Sequence, residues 1–274
     1  MAEVVLKSKE ELSVMREAGR LLALVFQQLD KQIVPGISTM DINNWVERYI
    51  VDELKARPAS KGQYDYQYVL NASVNHVVCH GIPSETKKLT SGDIVNVDIT
   101  LEKDGFIADS SKMYLIGEVN PFAKRLVNKT YEAMWQGIKA VKPGATLGDV
   151  GYAIKQHAEQ HGYSVVREYC GHGIGRDMHE EPQVLHYGQK GRGLVLKEGM
   201  VFTIEPMINQ GTAKIKTKRD GWTVVTSDRR LSAQWEHTIA VTSFGFEVLT
   251  LREEERLPAD FNQSSEDEWG IKLS

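Results

Sequence analysis

The stretch Ile94-Val95-Asn96-Val97-Asp98-Ile99-Thr100-Leu101-Glu102-Lys103-Asp104-Gly105-Phe106-Ile107-Ala108-Asp109-Ser110-Ser111-Lys112-Met113 decides the fold. Its first eight residues alternate as a β-strand does. Glu102 to Gly105 supplies a turn, with glycine where a positive φ is needed, and Phe106 to Ile116 returns as a second strand. A turn centred on Lys103 and Asp104 sets Asp98 directly opposite Asp109, with Cβ atoms about 5 Å apart. Like charges so placed, among Val97, Ile99 and Ile107, are destabilising and need a reason. Three remain open at this point: one carboxyl is protonated, a cation sits between the two, or the register slips and one Asp reaches solvent.

Upstream, Ser8 with Glu11 three residues on reads as the start of an amphipathic helix running to about Leu29, ended by Val34-Pro35-Gly36. A second helix begins near Ser38 to Asp41 and carries Ile42, Trp45, Val46, Tyr49 and Ile50 on one face. Residues 56–71 read as a loop or irregular hairpin, and β texture resumes at Val77-Val78.

Downstream the same grammar returns. Pro35-Gly36-Ile37-Ser38-Thr39-Met40-Asp41-Ile42 is echoed 108 residues later by Pro143-Gly144-Ala145-Thr146-Leu147-Gly148-Asp149-Val150. His80-Gly81-Ile82 is echoed by His172-Gly173-Ile174, and Gly92 to Asp98 by Gly199 to Glu205, offset by 107. Three matches in one order predict a duplicated α-plus-β unit, with halves of about 8–120 and 121–251 related by a pseudo-twofold axis. The region 1–251 then forms one catalytic domain, and 252–274 reads as an acidic, mobile tail.

The duplication decides among the three readings of the Asp pair. Glu205 is the counterpart of Asp98 and ends the apolar run Val201-Phe202-Thr203-Ile204; Glu236 is embedded in Trp235 to Val241. Four carboxylates at buried strand positions carry about −4, which an unaided core does not accept and two divalent cations neutralise. His172, on the loop Gly171-His172-Gly173, adds an imidazole whose small neighbours leave room for a metal. Oxygen ligands with one nitrogen suit Mn, Fe, Co or a catalytic Zn, and the chemistry expected is metal-assisted hydrolysis.

Composition excludes other classes. The chain has 274 residues, 41% hydrophobic and 26% charged, with a net charge of −4. That balance argues against a dedicated nucleic-acid binder. Cys79 and Cys170, two isolated cysteines, make neither a disulfide scaffold nor a zinc ribbon and read as small buried residues. The most apolar early stretch, Leu21 to Phe26, is far short of a membrane span or an export signal, so the expected location is cytoplasmic.

With these residues assembled, the chain resembles type I methionine aminopeptidases from about Ser8 to Leu251. The resemblance rests on Val77-Val78-Cys79-His80-Gly81-Ile82-Pro83, Asp98 and Asp109, Gly171 to Gly175 through His179-Glu180-Glu181-Pro182, Thr203-Ile204-Glu205-Pro206, and Ala233-Gln234-Trp235-Glu236-His237-Thr238. It implies an α/β (α+β) "pita-bread" fold, two pseudo-twofold-related halves with antiparallel sheet inside and helices outside, around a dinuclear centre of Co, Mn, Fe or Zn. By motif, Asp98, Asp109, His172, Glu205 and Glu236 are the implied metal ligands, with Asp109 and Glu236 bridging. His80 and His179 would touch the scissile peptide, and Glu205 would shuttle the proton. Tyr66, Met178 and Trp222 match the selectivity pocket, while Ser60, Gln63 and Asn71 stand where better-known bacterial members often carry Cys, Tyr and Cys. Asn75, Val77 and Ser232 match a monovalent-cation site.

The expected substrates are N-terminal peptides of nascent chains with a small second residue; Met1-Ala2 is itself such a sequence. Lys214, Lys216, Lys218 and Arg219 form a basic run in an expected hairpin, usually a solvated face but here a possible contact to ribosomal RNA phosphates. A monomer suffices. The rival readings are an Xaa-Pro aminopeptidase or dipeptidase of the same fold, and a non-catalytic peptide- or RNA-binding relative.

Overall fold

The structure is a computed structural model that describes residues 3–255. Met1-Ala2 and the tail beyond residue 255 lie outside the described residues. Helix α1 (Lys9–Leu29) opens on a capping box in which Ser8 and Glu11 satisfy each other's backbone N–H groups, as the sequence predicts. Its stripe of Met15, Ala18, Leu22, Val25, Phe26 and Leu29 is buried. At Gly19 an added Cβ would lie 2.1 Å from the Leu249 carbonyl oxygen, so only glycine lets the last segment pass this closely. Helix α2 (Thr39–Arg48) is capped by Ser38 and Asp41 in the same way and runs on into a π-helical turn, Tyr49–Glu53.

Both helices cover a sheet built on the hairpin Ile94–Lys103 and Phe106–Leu115. The register differs from the sequence expectation. The turn is Asp104-Gly105, with φ of 51° and 79°. Two left-handed residues make the two-residue loop that matches the twist of the flanking strands. Asp98 therefore faces Ser111, and Asp109 faces Thr100. The two acids share a face as diagonal rather than direct neighbours, because the turn is displaced one residue toward the glycine. On its other edge Ile94–Lys103 pairs with Leu70–Val74 and then with Arg57–Pro58.

The second half repeats this plan. Helices α3 (Pro121–Lys139) and α4 (Leu147–Gln160) pack a shared core against an antiparallel sheet. Its strands run in the order Phe246–Val248, His237–Val241, Val201–Ile204, Gly171–Gly173, Glu180–Val184. Thr146 and Asp149 form the third capping box. The repeat is visible bond by bond: Gly36 N donates to Leu89 O and Leu89 N to Ile37 O, while Gly144 N donates to Leu196 O and Leu196 N to Ala145 O.

One echo fails. With the offset of 107, Phe202 corresponds to Val95; Phe202 pairs with Gly173 and Val95 with Val74. His172 thus belongs with the strand Leu70–Val74, whereas His80 follows the next strand, Val77–Cys79. The shared His-Gly-Ile letters are not topological equivalents. Nor is Gly171-His172-Gly173 a loop. It is a strand whose glycines face backbone: a Cβ on Gly171 would lie 2.4 Å from Thr203 O and one on Gly173 2.1 Å from Glu181 O.

The halves meet along a seam. Glu236 lies between the strands Ser232–Gln234 and His237–Val241 and bridges Ser111. Asn96 donates to Gln234 O (2.7 Å), Ser110 Oγ to Glu236 O (2.7 Å), and Thr238 Oγ1 to Asp109 O (2.8 Å). Residues 252–255 correct the expected tail. Arg252 is 1% exposed, donates to Ser110 Oγ, Ser111 O and Glu255, and lies beside His237. A guanidinium buried this far is tolerable only with partners of this kind. Polarity alone marked the segment as tail, and the pairing that buries it is not visible in local sequence.

Candidate metal centre and active site

The seam brings five predicted residues together. Asp98 and Asp109 come from the hairpin, His172 from its glycine-flanked strand, Glu205 from the end of Val201–Ile204, and Glu236 from the junction of two sheets. One ligand atom each from Asp109, His172 and Glu236 lies within 4.8 Å of the others. His172 Nε2 is 3.8 Å from Asp109 and 3.6 Å from Glu205. Its Nδ1 is 3.0 Å from the Gly173 carbonyl oxygen. A carbonyl only accepts, so Nδ1 carries the proton and Nε2 turns its lone pair toward the carboxylates.

The electrostatics call for a cation. Burial pushes the Asp98 carboxyl up to about 6, against hydrogen bonds from Asn71 and Asp109 that lower it. Burial likewise lifts Glu205 to about 8, and burial with neighbouring carboxylates lifts Asp109 and Glu236 well above the usual range. The same burial depresses His172 to about 4. Asp109 Oδ1 is buried without any hydrogen-bond partner. A clustered set of acids with an aimed imidazole and an orphaned oxygen fits a hard or borderline divalent ion.

Around this cluster lies a cavity of about 740 Å³. His80 and His179 both line it. His80 stands at φ 56° with its ring edge-on to Tyr169, and the His179 ring is 4.4 Å from that of His172. Burial lowers the pKa of both, keeping them neutral donors or acceptors. Tyr66 packs on Trp222 at 5.0 Å, and both line the cavity with Met178. Ser60, Gln63 and Asn71 line it too, and Ser60 is hydrogen-bonded to Thr100 (2.6 Å).

Sequence reasoning missed four neighbours. Tyr64 stacks near His179, and Tyr169 meets His80. Gln234 Nε2 donates to Glu205 Oε2 (3.3 Å), and Glu205 N donates to buried His186 Nε2 (3.1 Å). Gln234 lay inside a quoted motif and could have been found; His186 had no local signal. Cys79 is fully buried and its thiol is pushed up by burial, as a small core residue would be; Cys170 is half-buried beside the cavity. Asn75 and Ser232 come together apart from the cavity lining, through Ser232 N donating to Asn75 O (2.9 Å). The basic run is an exposed hairpin, with strands Ile215–Thr217 and Val224–Thr226.

The profile of metallopeptidase family M24 matches residues 13–243, which contain all five clustered residues. The chain belongs to this family. Among M24-type relatives, the methionine aminopeptidase of Salmonella typhimurium is 51% identical over 254 residues, covering 93% of this chain and 96% of that protein. The crystal structure of methionine aminopeptidase from Rickettsia prowazekii superimposes with a TM-score of 0.89 at 48% identity, over 91% of this chain and 100% of that one. The prolidase of Pyrococcus horikoshii shares the fold alone, at 22% identity and TM-score 0.71, with this chain covering 64% of it. The pita-bread architecture of an M24 metallopeptidase accounts for the two-fold repeat of helices over antiparallel sheet. As a metallopeptidase it binds divalent metal. Among the described residues no helix is long and apolar enough to cross a membrane.

Proposed function

We propose that this M24 peptidase is a methionine aminopeptidase that removes the initiator methionine from nascent chains when the second residue is small. The observation that carries this reading is a buried acid cluster with one aimed imidazole, opening on a cavity walled by Tyr66, Met178 and Trp222. Those walls are apolar and polarisable, as a thioether prefers. Asp98, Asp109, His172, Glu205 and Glu236 would hold the two ions, Co, Mn, Fe or Zn, with Asp109 and Glu236 as the expected bridging residues. When bound, the metals supply a water of lowered pKa and polarise the scissile carbonyl.

The chain's own groups do the rest. Glu205 would take a proton from the attacking water and return it to the departing amine. His179 donates to the carbonyl oxygen as charge develops there, and His80 orients the peptide N–H. Asn75, Val77 and Ser232 would hold a monovalent cation. The enzyme works as a cytoplasmic monomer on one catalytic domain of two halves, and the Lys214–Arg219 hairpin touches ribosomal RNA in passing.

The test is hydrolysis of Met-Ala-Ser, Leu-Ala-Ser and Ala-Pro-Ala by stripped protein titrated with Mn, Fe and Co. Metal-dependent release of Met alone is expected. Cleavage of the Xaa-Pro peptide alone would favour the dipeptidase reading, and no cleavage despite tight metal binding a non-catalytic relative.

A further inference from the structure

Outside the catalytic cavity, a second group of metal-ligating side chains lies on the outer helices. Glu132 on α3 faces His157 and His161 at the end of α4, and one ligand atom from each lies within 4.8 Å of the others. His157 and His161 are four apart, the spacing that stacks two imidazoles on one helix face. Their ring centroids are 4.4 Å apart. Gly137 lets α3 approach α4 here, since a Cβ on it would lie 2.7 Å from Ile154.

The nitrogens are prepared for coordination. His161 Nδ1 is 2.7 Å from the His157 carbonyl oxygen, which can only accept. The proton is therefore on Nδ1, and the Nε2 lone pair is free to bind a metal. His157 Nε2 lies 3.0 Å from Glu132 Oε2, so two of the three ligand atoms already sit side by side. Side chains of both residues are 14% exposed, so the pair is sheltered but reachable. In this arrangement Lys129 neutralises Glu132, contacting both carboxylate oxygens at 2.7 and 2.9 Å.

We infer that Glu132, His157 and His161 form a third metal site, distinct from the catalytic pair, that takes zinc with a water in the fourth position. Two imidazoles and a carboxylate are a borderline donor set that suits Zn and leaves one position open. Four ligands about 2.1 Å from zinc sit about 3.4 Å apart, so the group closes by a modest ring rotation once Lys129 swings away. Bound metal clamps α4 to α3. The other face of α3 packs on the catalytic seam: Tyr131 lies 4.9 Å from Trp235, and Trp235 Nε1 donates to Val127 O (3.1 Å). Trp235 immediately precedes Glu236, so the clamp steadies the element that carries a catalytic carboxylate.

Equilibrium dialysis of the full chain against zinc, with metal counted by elemental analysis, tests the site. The wild type should retain one zinc equivalent more than His157→Gln/His161→Gln, with both folded by circular dichroism. Equal zinc content in the two overturns the inference. Should the double variant fail to fold, Lys129→Met decides: it should tighten the outermost zinc equivalent by about fivefold by releasing Glu132. An unchanged affinity overturns the inference.

Discussion

Asp98 and Asp109 stand diagonally across one hairpin, Asp98 opposite Ser111 and Asp109 opposite Thr100. The offset puts both carboxyls on the face that meets Glu236; Asp98 raises the cost of ionising Asp109, and both raise that of Glu236. Asp109→Asn should therefore act in two directions. Metal uptake and peptidase activity should fall together by more than about 100-fold, beyond the loss typical of an outer partner. The metal-free variant should melt above the metal-free parent, because a buried carboxyl that folding must hold protonated above its unfolded pKa is gone. Retained activity would remove Asp109 from the bridging role.

The pH dependence of metal-free stability follows from opposite shifts. A carboxyl held above its unfolded pKa binds more protons when folded, so stability falls as pH rises between the two values. Burial holds Glu205 up to about 8, and Asp109 and Glu236 are raised as well. Histidines held low, such as His172 at about 4 and His186 at about 3, work in the other sense but only below about pH 6.5. Metal-free protein should thus lose stability from about pH 6.5 to 8, with Glu205 contributing on the order of 2 kcal/mol. Melting curves with and without chelator check this; a chelated protein that gained stability across that window would contradict it.

Gly173→Ala should lower stability by more than about 3 kcal/mol, since its Cβ would sit 2.1 Å from the Glu181 backbone. His172 would shift with the strand, so metal affinity should drop as well. Denaturant melts and metal titration of the same variant measure both effects.

Arg252→Ala should destabilise by about 3–5 kcal/mol by leaving Glu255 buried without its cation. Burial alone would raise the Glu255 carboxyl, but Arg252 and His237 hold it well below the usual range. Stability contributed by such a depressed carboxyl is present above its unfolded pKa and is lost as pH falls through the folded one. The variant's deficit relative to wild type should accordingly shrink, without vanishing, between pH 7 and pH 3, which parallel melts would reveal.

Gln63→Tyr should sharpen the preference for Met over Leu by about 1–3 kcal/mol in kcat/KM, through one restored aromatic contact. Gln63 lines the cavity. A change in Leu and Met turnover by the same factor would place the residue outside the selective wall.

Much of this architecture was legible because its signals are local. Ser8 with Glu11 announced the first helix and Ser38 to Asp41 the second, and the repeat at residues 35–42 and 143–150 announced the duplication. The acids were legible because charge inside an apolar strand is costly wherever the strand goes. Register was not: Lys103-Asp104 and Asp104-Gly105 turns differ by one residue, and only the two positive φ angles choose between them. Arg252 and His186 were invisible for a different reason. Their burial depends on partners far along the chain, Ser110 for one and Glu205 for the other.

The bridge between Ser111 and Glu236 also has a bearing on how the protein is made. Asp98 and Asp109 leave the ribosome early, while Glu236 belongs to the closing stretch of the fold. At about 5–20 residues per second, the first two acids wait on the order of ten seconds for the fourth. At the start of that wait three of the five clustered residues, His172, Glu205 and Glu236, are still unsynthesised. On the proposed ligand set, charging with metal would be a final step of biosynthesis, completed when the carboxy-terminal strands close the seam.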